Sequence, residues 1–264
     1  MNKFHTPATA LEAVRLRTEL GDGAAFLAGG TEVNTQAQRP THLISLSGLG
    51  LDGIDAGTRD VTIGACVRLQ TLAESTEVPE PLRRAAGQLA NRNIRNAATI
   101  GGHIGANNPW SDLLPTLLVL DARVVMVSSS GRADLGIEDV LCGHHPGLIS
   151  HVRVPRSVER FAMASHRLVA NDVPLVAVAV ALERGGQRDP AVAASGVAET
   201  AIRLPWVEDA LRGPEIDPDA LELMVGKRLS PPEDLRGTSD FKQRIAGVLV
   251  ARCVRELLGA GEGH

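Results

Sequence analysis

Leu11, Val14 and Leu20 fall on one helical face, behind Thr6-Pro7 and ahead of Gly21. Thr6 as N-cap, Pro7 at the first helical position and Gly21 as C-terminal cap predict the first helix. The pattern then shortens: "AAFLA" (24–28), ending at Gly29-Gly30, and "HLISL" (42–46), after Pro40, are brief apolar runs that predict two buried strands. "SGLGLDGIDAG" places glycines at 48, 50 and 53 in the spacing of a dinucleotide fingerprint. Turn formers and the strand-like "VTIGA" follow where that fingerprint needs a helix, so the segment is predicted as a turn-rich connection. Leu82, Ala85, Ala86, Leu89 and Ala90 recur at helical spacing and predict an amphipathic helix over about 82–96, with Arg83, Arg84, Arg92 and Arg95 on a solvated basic face. Beyond "TIGGHIGANNPWSDLLP" (99–115) come a buried helix, "LLPTLLVLDA", and a strand, "RVVMV". Further strands are expected at 135–141 and 147–154. A proline-bounded segment at Pro155 sets a domain boundary near 156. "PLVAVAVALE" and "AVAASGVA" predict two more strands, and helices are expected near 206–212, 218–225 and 239–258.

Composition narrows the class. The 264 residues are 44% hydrophobic and 22% charged with a net charge of -4, and no apolar run approaches the roughly 18 residues that cross a bilayer. No signal-peptide pattern opens the chain, so a soluble, cytoplasmic protein without membrane insertion is expected. The balance and spread of charge leave no footprint for nucleic acid. With four Phe, two Trp and no Tyr, any bound aromatic ring must be held mainly by backbone, amides and aliphatic side chains. Cys66, Cys142 and Cys253 form no CxxC pair, which argues against a disulfide framework or a cluster site in this chain. The adjacent His144 and His145 are taken as a surface turn rather than a metal site.

Candidate chemistry sits in two glycine loops. In "LAGGTEV" and "TIGGHIGANN", about seventy residues apart, bare backbone can approach a ligand closely and consecutive N–H groups can form an anion-binding nest. Asp112, where a helix begins, would repel a phosphate but could accept hydrogen bonds from sugar hydroxyls. On the residues alone, a nucleotide cofactor and a pair of structural turns both remain open.

"LAGGTE", "ATIGGHIGANNPWSDLLPTLLVLDA" and "DLRGTSDFKQRIAGVLVARCVREL" together resemble the flavin-binding medium subunit of molybdenum hydroxylases, the family of aerobic carbon monoxide dehydrogenase and xanthine dehydrogenase. "FHTPATALEAV", "RVPRS" and "VAETAIRLPWVEDALRG" extend the resemblance almost end to end. It implies an α+β fold: a two-lobed FAD-binding domain of the p-cresol methylhydroxylase type over 1–156 (small lobe about 1–55, large lobe about 56–156), then a C-terminal α+β domain over 157–264. By position it implies a first FAD loop at Ala28, Gly29, Gly30, Thr31 and Glu32 and a second at Thr99, Ile100, Gly101, Gly102 and His103. Asp112 matches an FAD-contacting acid and Ile149 an aliphatic residue near the flavin. His103 stands where relatives commonly have Asn or Ser. Many relatives also carry a flavin-proximal Lys where "FAMASHRLVAND" has none, leaving Arg167, or His166, in its place.

The function so implied is an electron-exit subunit with no catalytic acid or base of its own. A large partner would carry the molybdenum cofactor, a small partner two [2Fe-2S] clusters, in a dimer of heterotrimers, and FAD would pass electrons to an acceptor. The rivals are a self-contained flavin oxidoreductase and a binding or assembly protein that has lost FAD.

Overall fold

The computed structural model describes residues 3–33, 39–143, 147–156, 158–169, 172–184 and 187–259. His144 and His145 lie outside them. Three sheets organise the described residues. The first is parallel, in the order β1 (Lys3–His5), β3 (His42–Ser45), β2 (Ala24–Leu27), with α1 (Ala10–Leu20) crossing from β1 to β2. The second is antiparallel, ordered β4 (Ile54–Ala56), β5 (Asp60–Gly64), β8 (Leu148–Pro155), β6 (Arg123–Ser128), β7 (Gly131–Gly136). Helices α2 (Leu69–Glu74), α3 (Glu80–Gln88), α4 (Arg92–Arg95), α5 (Ile100–Ala106), α6 (Leu113–Val119) and α7 (Ile137–Cys142) occur between its strands in sequence. The third sheet is antiparallel: β12 (Ile202–Arg203), β11 (Gln187–Ser195), β10 (Val176–Arg184), β9 (Val158–His166), with α8 (Pro205–Arg212), α9 (Pro218–Arg228) and α10 (Ser239–Gly259) following it. Mixed helix and strand with a larger antiparallel lobe is the expected α+β class. No described helix is long and apolar enough to cross a membrane.

Burial follows the periodicities. Ala246, Leu249, Val250, Cys253, Val254 and Leu257 form the buried stripe of α10 at spacings of three and four, facing β9 and β10. Helix α6 is buried at every position and packs against β10 and β11. The third sheet is fastened to the α5–α6 connection by polar contacts: Ser195 Oγ donates to the Ser111 carbonyl (2.6 Å), Gly196 N to the Pro109 carbonyl (2.7 Å) and Thr200 Oγ1 to Asn107 Oδ1 (2.5 Å). The connection between α5 and Asp112 is therefore held by the third sheet and the turn that follows β11.

Four local expectations are corrected. The first helix starts at Ala10, because Thr9 Oγ1 accepts from Glu12 N (3.2 Å) and Glu12 Oε2 from Ala8 N (2.7 Å); this Thr-x-x-Glu arrangement outcompetes the Thr6-Pro7 signal. The helix expected over 82–96 breaks at Ala90 (φ 44°) into α3 and α4. Its basic face is only partly solvated: Arg95 donates to the Leu89 and Ala90 carbonyls and caps the break, and Arg84 reaches the Met163 carbonyl. The strand expected at 135–141 is the end of β7 followed by α7. Strand β9, paired along β10, was not anticipated.

Candidate functional site

A cleft of about 1310 Å³ opens between the parallel sheet and the large antiparallel one. One wall is β2 with the loop Ala28–Val33; the facing wall is Thr99 and the glycine-rich helix α5. Met126, Leu148 and Ile149, from β6 and β8, add an apolar surface, and the end of α7 contributes Val140 to Cys142. At the far end stand Arg17, Asp22, Arg39 and Thr41. A smaller hollow of about 370 Å³, around Arg160, Leu182 and Ile216, contains none of the glycine-loop residues.

The two glycines of each pair have different work. A Cβ on Gly29 would lie 2.0 Å from the Ala97 carbonyl oxygen, so the first loop touches the segment leading into α5 backbone to backbone. Gly30, at φ 73°, turns the chain into the cleft. Gly101 is buried, and a Cβ there would lie 2.5 Å from Ala65 Cβ. Gly102 is exposed on the cleft, where a Cβ would meet only Thr99 Oγ1 at 2.9 Å. Thr99 is the N-cap of α5, its hydroxyl accepting from Gly102 N at 3.1 Å. One glycine per pair brings the walls together and the other leaves backbone bare between them.

Behind α5 lies a polar cluster. Ser111 Oγ accepts from Leu113 N (3.1 Å) and Leu114 N (3.0 Å), capping α6, and sits 2.7 Å from His103 Nε2. With both N–H groups directed at its oxygen, the serine O–H donates a hydrogen bond to Nε2, so His103 is neutral with its proton on Nδ1. Burial pushes this imidazole's pKa down to about 4. Asp112, although at the helix start, does not cap it: Oδ1 pairs with Arg167 Nη2 at 2.6 Å, and Oδ2 is buried and accepts no hydrogen bond among the described residues. Burial raises the pKa of this carboxyl, while Arg167 and Ser165 work the other way. Arg167 Nη1 also donates to the Asp172 carbonyl at 3.0 Å.

The His103 shift has a measurable sign. The unfolded chain takes up its proton near pH 6.5 and the folded chain near 4, so stability is fully present above 6.5 and falls as pH drops towards 4. The loss amounts to roughly 2–4 kcal/mol. His103→Asn should flatten this limb, seen as a smaller difference between urea midpoints at pH 7 and pH 4.5. Asp112 contributes with opposite sign, so the comparison with the variant isolates the histidine.

Of the residues singled out in the sequence, Ala28, Gly29, Gly30, Thr31, Glu32, Thr99, Gly101, Gly102 and Ile149 line the cleft. Ile100 points into the core, while His103, Asp112 and Arg167 join the cluster at the start of α6. His166 stands edge-on to Phe241 at 5.7 Å. Sequence reading missed Asn107, a cleft residue at φ 46° whose Nδ2 donates to the Leu141 carbonyl and whose Oδ1 accepts from Thr200. Its signal was the Asn-Asn-Pro that ends α5, a left-handed cap before proline. It also missed Cys142 and Ser111. The cleft lining fits a flavin dinucleotide, with bare backbone at Gly30 and Gly102 and an aliphatic surface at Ile149; Asp112 does not line the cleft, but in the cluster behind α5 it keeps one buried carboxylate oxygen with no hydrogen-bond partner among the described residues.

Comparison with known proteins agrees. Residues 1–157 match the family model described as the FAD binding domain in molybdopterin dehydrogenase, and residues 160–257 match the CO dehydrogenase flavoprotein C-terminal domain. The chain is 35% identical to the uncharacterized protein YgfM of Escherichia coli K12 over 99% of its own length and 98% of that protein's. It is 28% identical to the carbon monoxide dehydrogenase medium chain of Hydrogenophaga pseudoflava over 96% and 95%. The structure of carbon monoxide dehydrogenase from that organism, lacking the Mo-pyranopterin moiety, superposes with a TM-score of 0.89 at 27% identity, covering 98% of this chain and 97% of that one. The bare-backbone cleft thus belongs to an FAD-binding domain, and the chain is a member of the FAD-binding subunit family of the molybdenum hydroxylases.

Proposed function

We propose that this chain is the electron-exit subunit of a heteromeric molybdenum hydroxylase, with residues 1–156 as its FAD domain and 157–264 as its C-terminal domain. FAD would lie along the cleft against Ala28–Glu32, Thr99, Gly101 and Gly102, with Ile149 beside the ring and the cluster behind α5, with Asp112 and Arg167, at its polar edge. Bound FAD supplies a ring that takes up and releases electrons, and the protein supplies position and electrostatics. Gly30 and Gly102 let backbone reach the cofactor; Arg167 brings a fixed positive charge, held by Asp112, to where reduction adds negative charge. Electrons would arrive from [2Fe-2S] clusters on a small partner, substrate being oxidised at molybdenum on a large one, in a dimer of heterotrimers.

The observation that carries this reading is that two loops about seventy residues apart meet backbone to backbone at Gly29 and Ala97 and become facing walls of one cleft. The similarity to a carbon monoxide dehydrogenase medium chain supports the division of labour among subunits. Purification from the native host tests it. A yellow chain that releases FAD on heating and travels with one larger molybdenum-containing and one smaller iron–sulfur subunit is expected. A yellow monomer that oxidises substrate unaided would replace it with the self-contained oxidoreductase, and a colourless chain that takes up no FAD would overturn it.

A further inference from the structure

We infer that Arg236, in the α9–α10 connection, is a positioning residue for the flavin site and acts through Arg167. The inference rests on the reading that FAD occupies the cleft beside Asp112 and Arg167. Arg236 Nη2 lies 2.7 Å from both Asp172 Oδ1 and Oδ2, and Nη1 donates to the Val173 carbonyl at 3.3 Å. The Asp172 carbonyl in turn accepts from Arg167, whose other nitrogen holds Asp112 Oδ1. The far side of Arg236 rests on Trp110, its Cζ 5.2 Å from the ring centroid, and Trp110 lies two residues before Asp112. The contacts close a ring, Trp110–Asp112–Arg167–Asp172–Arg236, in which Arg236 braces both the segment bearing the buried carboxylate and the Asp172 whose carbonyl orients its partner.

Arg236 is itself fixed. Asp234 Oδ1 accepts from the backbone N–H of Arg236 (2.9 Å) and of Gly237 (3.2 Å), and Oδ2 accepts from Lys242 Nζ at 2.6 Å. The Lys242 side chain is 1% exposed and its ammonium also donates to the Pro232 carbonyl, so a buried cation anchors the turn that presents Arg236. The Arg236–Asp172 pair is partly open to solvent, where an ion pair contributes little to stability. Its consequence is geometric: it sets where the Asp172 carbonyl stands and hence how Arg167 meets Asp112.

The test uses the full chain loaded with FAD, comparing the parent with Arg236→Gln, Arg236→Lys, Arg167→Gln and the Arg167→Gln/Arg236→Gln double variant. Flavin dissociation constant, flavin midpoint potential and thermal midpoint are read for each. Arg236→Gln should weaken FAD roughly tenfold, the equivalent of one charge-assisted hydrogen bond. It should also move the potential in the same direction as Arg167→Gln. Arg236→Lys should recover part of both and carries the comparison if Arg236→Gln does not fold. The double variant should be no worse than Arg167→Gln alone. Losses that simply add, or an Arg236→Gln chain with a lowered thermal midpoint but the parent's affinity and potential, would overturn the role of Arg236. A parent chain that takes up no FAD overturns the cofactor reading itself.

Discussion

Gly29→Ala is expected to damage the fold around the cleft, whereas Gly102→Val, a larger change at an apparently equivalent glycine, should leave the fold standing and remove FAD. The difference lies in what each new side chain would meet. At Gly29 the obstacles are backbone: the Ala97 carbonyl oxygen at 2.0 Å, its carbon at 2.7 Å and Ala98 Cα at 3.1 Å. None of these can rotate away, and Ala98 is already committed, its carbonyl accepting from Leu69 N. The loop and the entry to α5 must separate, at a cost of about 1–3 kcal/mol or more. In a chain of this size each kcal/mol lowers the thermal midpoint by roughly 2–4 °C. At Gly102 the atom that a Cβ would meet among the described residues is the Thr99 hydroxyl, so the structural cost expected is a disturbed N-cap, about 1 kcal/mol. The valine methyls instead occupy the cleft where backbone is bare, and flavin affinity should fall at least about a hundredfold, equivalent to roughly 3 kcal/mol. Flavin titration and apo-protein melting on both variants separate the two roles. Parental FAD occupancy in Gly102→Val would remove that glycine from the cofactor surface, and a parental melting curve in Gly29→Ala would show that the walls are not pressed together there.

This asymmetry was hidden in the sequence, where Gly29-Gly30 and Gly101-Gly102 read as interchangeable pairs. Periodicity announces elements whose buried face is continuous, which is why α6, α10 and the strands β10 and β11 were legible from their apolar runs. It fails where the deciding contact is local and chemical. Thr9 and Glu12 cap α1 by a reciprocal arrangement that lies in the sequence but was outranked by a proline. Ala90 adopts φ 44° with no glycine to advertise it, and the break depends on Arg95, five residues on, reaching back to two carbonyls. In "LGIEDVL" apolar positions suit a short strand and a short helix alike, so the end of α7, and with it the cleft residue Cys142, was misplaced. The candidate site shows the same division. Its bare backbone could be read from glycine content, but the partner of Asp112 lies 55 residues away on another sheet's edge, and nothing in the local pattern joins them.

That partnership leads to the second large effect: Asp112→Ala should destabilise the protein by about 3–5 kcal/mol, because it strands a guanidinium that burial has stripped of most of its water. The Asp112 side chain is 0% exposed and that of Arg167 14%, so among the described residues the remaining cation keeps the Asp172 carbonyl as its hydrogen-bond partner. Asp112→Asn should cost less, since the amide oxygen still accepts from Arg167. Asp112→Leu combined with Arg167→Met should recover most of the loss, as an apolar pair of similar size often matches a buried ion pair. Denaturant midpoints across the three variants would reveal this order. Flavin affinity should not follow it. If Asp112 Oδ2 is unsatisfied within the protein because a cofactor hydroxyl or ring N–H completes it, the apolar double variant regains stability without regaining FAD. Recovery of both together would mean that the pair is only a piece of architecture; recovery of stability alone would mean that a charge is kept buried in this fold for the cofactor's use.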